Sequence, residues 1–197
     1  MTNAEKIIKI ANENNGYVTT KQVKNAHINT VELTRLVKQN KLERITRGYY
    51  AITNSFCDDY YKYQLKSKNC IFSHSTALYF YDLSDRTPLY FDMTVPVGYS
   101  GSLSKDKNVK LHYVKKEFLE LGLTTVESPF GMKLRTYDLE RTICDIVKYR
   151  NHMDKEIFTK ALKRYSKLKQ KDLFKLMKYA KKLNIDKTVL EYMEVLL

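Results

Sequence analysis

Val31, Thr34, Arg35 and Lys38 stand three or four residues apart, the spacing that collects side chains on one face of an α-helix. Together they carry the chemistry of base and phosphate contact. Arginine and lysine can pair with guanine edges or with phosphate, a threonine hydroxyl can bond either, and an outward valine can meet a thymine methyl. Arg44, Thr46 and Arg47 follow in a β-branched and aromatic stretch broken by Gly48, where cations can track a phosphate backbone or an adjacent minor groove. A basic amphipathic helix alone also describes an ordinary solvated face, so the reading depends on the elements that hold these residues.

Those elements form an ordered set. Ala4, Ile7, Ile8 and Ala11 recur at helical spacing, and the polar run 12–15 followed by Gly16 stops that helix. Thr19-Thr20-Lys21-Gln22 has the capping-box pattern and predicts a short helix over 20–26, with Val23 and Ala26 inward. Asn29-Thr30-Val31-Glu32 repeats the start signal before a third helix running to about residue 41, with Leu33, Leu36 and Val37 as its apolar stripe. Residues 42–52 read as a hairpin with Arg44 and Arg47 near its tip. Three helices and then an Arg-Gly hairpin make the pattern of a winged helix-turn-helix, whose third helix enters the major groove. The residues expected at DNA are Thr20, Gln22, Asn29, Thr30, Val31, Thr34, Arg35, Lys38, Arg44, Thr46 and Arg47.

Charge supports two basic ends. The 197-residue chain carries a formal +13, with nine basic against four acidic residues in 1–53, twelve against twelve in 54–145, and fourteen against six in 146–197. Such ends suit phosphate backbones, anionic membranes or acidic proteins. Cys57, Cys70 and Cys144 are too few and too scattered for a disulfide framework or a paired-cysteine metal site. No apolar run approaches the roughly 18 residues of a membrane span, and the start of the chain lacks a signal-peptide core, so a soluble cytoplasmic protein with no membrane partner is expected.

The expected fold class is α+β, with the winged helix-turn-helix over 1–53 and a larger mixed α+β domain over 54–197 that ends in a helical bundle. A helix-like stretch over 56–66 opens the second part. Strand candidates at 70–73, 89–95, 109–114 and 132–137, separated by turns such as Gly98-Tyr99-Ser100-Gly101, suggest a mostly antiparallel sheet. Three amphipathic helices follow, with Asp154, Asp172 and Asp186 at cap positions. Their outer faces carry Lys160, Lys163, Arg164, Lys167, Lys171, Lys175 and Lys178, then Lys181 and Lys182. This is either a solvated surface or a second functional surface, for nucleic acid or for a separate activity.

Other candidate chemistry fits structural roles better. Ser73-His74-Ser75 lacks an orienting acid, and neighbouring residues at a helix start point different ways, so His74 reads as a cap or packing residue. Arg141 and Asp145 stand four apart and fit an internal ion pair, with Asp138 as the helix N-cap. The Gly-Ser loop at 98–102 is followed by no paired metal-binding aspartates, and Asp58, Asp59, Asp82 and Asp85 lack that setting. His27, His74, His112 and His152 have no zinc spacing. No metal or cofactor is expected. The alternative is an enzyme acting on RNA or nucleotides, suggested by the basic C-terminal helices and the Gly-Ser loop.

The chain resembles the AbiEi family, the antitoxin half of bacterial type IV toxin-antitoxin pairs linked to abortive phage infection. The segments carrying the resemblance are Leu36-Val37-Lys38-Gln39-Asn40-Lys41-Leu42-Glu43-Arg44-Ile45-Thr46-Arg47-Gly48-Tyr49-Tyr50, Phe72-Ser73-His74-Ser75-Thr76-Ala77-Leu78, Leu83-Ser84-Asp85, Met93-Thr94-Val95-Pro96 and Asp138-Leu139-Glu140-Arg141-Thr142-Ile143-Cys144-Asp145. The resemblance implies a non-enzymatic protein that represses its own operon at inverted repeats in double-stranded operator DNA. It also implies neutralisation of a nucleotidyltransferase-like toxin of the AbiEii type without a stable complex.

Overall fold

The computed structural model describes residues 1–54 and 58–196, which divide into two compact units. One comprises Met1–Lys68 with Glu127–Met132, the other Asn69–Val126 with Lys133–Leu197. Phe56, where the sequence suggests a helix start, and Cys57 lie outside the described residues.

In the first unit, α1 (Asn3–Asn12) starts at a complete capping box: Thr2 Oγ1 accepts from the Glu5 N–H, and the Glu5 carboxylate accepts from the Thr2 N–H. β1 (Tyr17–Thr19), α2 (Thr20–Asn25), α3 (Val31–Lys38), β2 (Leu42–Thr46), β3 (Tyr49–Ile52) and α4 (Asp59–Lys66) follow. The three strands form an antiparallel sheet in the order β1-β3-β2. At three residues, β1 is too short to show alternation in the sequence, and the periodicity reading missed it. Ile7, Ala11, Val18, Val23, Ile28, Leu33, Leu36 and Leu42 share one buried core. Removing each large aliphatic side chain among them from water is worth about 1.5–3 kcal/mol.

α4 packs within this unit, which therefore runs past residue 53 to Lys68. The Tyr17 hydroxyl donates to the Asp58 carbonyl at 2.8 Å, and the rings of Tyr17 and Tyr61 meet edge to face at 5.0 Å. Lys62 of α4 reaches the Glu43 carboxylate of β2 at 2.5 Å.

The second unit contains β4 (Ile71–Phe72), α5 (His74–Phe80), β5 (Phe91–Pro96), β6 (Val109–Val114), α6 (Lys116–Leu119), β7 (Leu123–Glu127), β8 (Lys133–Tyr137) and α7 (Leu139–Tyr149). It closes with α8 (Lys155–Lys167), α9 (Leu173–Lys182) and α10 (Asp186–Leu196). The sheet order is β6-β5-β4-β8-β7. β4 and β5 are antiparallel, but β5–β6 and β4–β8 are parallel, so the expected mostly antiparallel sheet is corrected to a mixed one. The reason is chain length between strands. The connection between β5 and β6 includes the 3₁₀ turn Ser102–Lys105 and is long enough for the crossover that parallel pairing needs.

The helices of this unit share a core through Leu78 of α5, Ile143 and Val147 of α7, Phe158 and Leu162 of α8, Leu176 of α9 and Val189 of α10. The fold is mixed α+β with a C-terminal helical part. α7 is buried on almost every side, and most of its polar groups are paired internally, while Arg141 Nη2 and Asp145 Oδ2 are buried with no hydrogen-bond partner among the described residues. Asp138 caps it through the Arg141 N–H at 2.8 Å. Arg141, fully buried, donates from Nε to Asp145 at 2.9 Å and from Nη1 to the carbonyls of Phe118 and Leu121 at 2.8 and 2.7 Å. The i,i+4 ion pair read from the sequence is therefore present. Gly122, at φ +76°, presses against this helix start: a Cβ there would lie 2.6 Å from the Arg141 Cβ.

Candidate nucleic-acid interface

The turn between α2 and α3 sets the direction of α3. α2 has the expected capping box, in which Thr19 Oγ1 accepts from the Gln22 N–H at 3.2 Å and Gln22 Oε1 accepts from the Thr19 N–H at 2.8 Å. His27 adopts the left-handed conformation at φ +56° and lets Ile28 drop into the core. The cap of α3 differs from the expectation. Thr30 is already helical at φ −66° and makes no side-chain cap; Asn29 Oδ1 instead accepts from the Val31 N–H at 3.0 Å.

With Leu33 and Leu36 buried, the opposite face of α3 presents Val31, Thr34, Arg35 and Lys38 to solvent. Val31 is 67% exposed, which the packing of this unit does not require. Arg35 meets Glu32 at 3.5 Å with 65% of its side chain exposed. Such a surface pair is worth about 0–1 kcal/mol and leaves the guanidinium able to turn to another anion.

Arg44 and Arg47 are exposed, and Thr46 is half-buried. The register of β2 on β3 shifts between Arg44 and Thr46, so one extra residue, Ile45, re-aims the end of the strand. Gly48 makes the turn at φ +83°, and its carbonyl accepts from the Thr20 N–H at 2.9 Å. The hairpin tip is thereby tied to the start of α2. Glu43, the acid nearest these arginines in sequence, is paired with Lys62, which leaves the positive charge of the tip less opposed.

The sequence-selected residues thus fall into two sets. Val31, Thr34, Arg35, Lys38, Arg44 and Arg47 point to solvent, as does Asn29 while it caps α3, whereas Thr20, Gln22, Thr30 and Thr46 are half-buried at caps, at the α2 start or in the strand. Lys21 and Lys24 on α2 are also exposed, and no ion-pair partner stands beside them among the described residues. The sequence places their α2 neighbours Thr20 and Gln22 at DNA but not these two lysines.

In the second unit the basic helices are partly self-neutralised. Lys160 pairs with Glu156 at 2.8 Å, Arg164 with Asp85 at 2.5 Å, and Lys175 with Asp138 and Glu140 at 2.9 and 3.2 Å. Lys171 donates to the Leu168 carbonyl at 3.2 Å. Lys163, Lys167 and Lys178 are exposed, with no ion-pair partner among the described residues.

The same unit holds a buried polar cluster. His74, at φ +47°, stacks on His112 with ring centroids 3.5 Å apart, and the edges of both meet Tyr149. His112 Nε2 lies 2.7 Å from Asp92, and His74 Nδ1 lies 3.0 Å from Ser73 Oγ. Burial, then the neighbouring His112, Arg141 and Lys110, hold His74 well below the ordinary imidazole range. Ser73 is fully buried and shares its hydroxyl with Thr94 at 2.9 Å, so the Ser-His neighbours form a packed network. Burial pushes the Cys70 thiol up to about 12.

Three helices, the second and third meeting at a tight turn, followed by a hairpin tied to the second, have the arrangement of a helix-turn-helix with a hairpin beside it. Residues 5–53 match the family model described as transcriptional regulator, AbiEi antitoxin. The motifs at 72–78, 83–85, 93–96 and 138–145 lie beyond the matched residues. A crystal structure of the Rv2827c protein from Mycobacterium tuberculosis has a similar fold, with a TM-score of 0.53 and 13% identity over 98% of this chain and 81% of that one. No curated protein matches the sequence.

Proposed function

We propose that this chain binds double-stranded operator DNA bearing inverted repeats and represses its own toxin-antitoxin operon. Its first 53 residues act as a winged helix-turn-helix, with α3 in the major groove and the β2–β3 hairpin as the wing. The observation that carries this reading is the outward set Val31, Thr34, Arg35 and Lys38 on the helix whose other face holds Leu33 and Leu36 in the core. It lies inside the segment matched to the antitoxin regulator family. Arg35 and Lys38 supply donors for guanine or phosphate, Val31 an apolar contact, and Arg44 and Arg47 neutralise backbone phosphates.

The second unit supplies a separate, non-enzymatic antitoxic activity against a nucleotidyltransferase-like AbiEii-type toxin, without a stable complex, as in type IV phage-defence pairs in the cytoplasm. Support comes from the occupied state of groups an enzyme would use there: Asp85 is paired with Arg164, and Ser73 is buried in a hydroxyl network. Two experiments test the reading. The DNA upstream of the gene should be retarded by the full-length protein and not by Arg35→Ala/Lys38→Ala. Co-expression with a toxin encoded beside it should restore growth, and Lys163→Glu/Lys167→Glu should reduce that rescue while operator binding stays intact.

A further inference from the structure

We propose that the groove between α9 and α10 is a contact between two copies of this chain. The groove has a volume of about 290 Å³ and is lined by Leu173, Leu176, Met177, Leu190, Met193 and Glu194. Phe174 stands beside it at 83% exposure and Leu190 at 47%. An aromatic ring held in water next to an open apolar groove marks a contact surface.

The two edges of the groove carry opposite charge. At 100° per residue, Lys178 and Lys181 lie on the Phe174 side of α9, and Glu191 and Glu194 lie on the outer side of α10. None of the four has an ion-pair partner among the described residues. A two-fold axis running along the groove sets α9 of one copy over α10 of the other. The basic edge of each then meets the acidic edge of its mate, and each Phe174 ring, on the same side as Lys178 and Lys181, packs against α10 of the mate. The overall charge of +13 would draw any acidic protein, but such a partner leaves Glu191 and Glu194 facing like charge. A second copy satisfies both edges. This contact does not depend on the DNA-binding reading.

Sedimentation velocity of the full chain without DNA, from about 1 to about 100 µM, tests it, since a contact of this size gives a weak, reversible dimer. The expected result is a shift from 23.3 kDa toward twice that mass as concentration rises. Phe174→Asp should weaken the dimer about thirty-fold, the loss typical of a central aromatic anchor, with the circular dichroism spectrum and Tm unchanged because the ring is exposed. Lys178→Glu and Glu191→Lys should each weaken association, and together restore it. A monomer at every concentration, or a dimer indifferent to Phe174→Asp, overturns the proposal. Failure of the charge swap to restore association overturns the face-to-face arrangement.

Discussion

The N–H of Thr20 donates to the carbonyl of Gly48 at 2.9 Å, joining the first residue of α2 to the turn of the hairpin. The tip carrying Arg47 therefore has a fixed position relative to the helices that aim α3. The turn exists because Gly48 adopts φ +83°, a region that costs a branched residue about 1–2 kcal/mol. Gly48→Val should lower Tm by several degrees and reduce operator affinity more than Thr46→Val does. Equal affinity for Gly48→Val and wild type would show that the tether has no part in DNA binding.

The wing arginines should act through charge. Each phosphate neutralised contributes a slope of about −0.9 to the dependence of log affinity on log salt. Arg44→Ala and Arg47→Ala should each make that slope shallower by about one, weakening binding to specific and unrelated duplexes alike. A loss confined to the specific sequence would move these side chains from the phosphates to the bases.

His74 gives the second unit a pH dependence. Burial keeps its folded-state pKa below the ordinary value of 6.5, so below about pH 6.5 the unfolded chain binds a proton that the folded chain does not. Stability from this group is at its full value above that pH and falls as the pH drops. Thermal unfolding should show a level Tm between about pH 7 and 8 and a decline toward pH 5. His74→Asn, which tolerates the left-handed backbone, should flatten the decline. A Tm that rises toward pH 5 contradicts the assignment.

Arg141 and Asp145 form the buried ion pair at the centre of α7. Arg141→Met strands a buried carboxylate and should cost about 3–5 kcal/mol. Arg141→Met/Asp145→Leu should cost less than the two single changes summed, because neither charge is left alone. Chemical denaturation reads this directly, and strictly additive losses would show that the pair is not coupled.

The parts of the molecule read correctly from sequence are those governed by local rules. The capping box at Thr19 and Gln22, the apolar stripe of Leu33 and Leu36, the hairpin broken at Gly48 and the Asp138 cap each depend on residues within a few positions of one another. The parts missed depend on distant partners. β1 exists because Tyr17, Val18 and Thr19 pair with β3 some thirty residues away. The parallel pairing of β5 with β6 and the stack of His74 on His112 leave no trace in local periodicity. The neutralisation of Arg164 by Asp85 joins residues 79 positions apart, so the basic helices looked more uniformly charged in sequence than they are.

The outward face of α3 is the centre of the account. The most direct test is equilibrium binding of the full-length protein to a duplex taken from the DNA upstream of its gene, and to a scrambled duplex of the same length, at one fixed salt concentration. Wild type should prefer the first by about 10³-fold or more. Arg35→Ala/Lys38→Ala, each residue contributing about 1–3 kcal/mol, should remove most of that preference while leaving Tm unchanged. A folded double variant that still discriminates the two duplexes as wild type does would contradict the assignment of α3 as the reading helix.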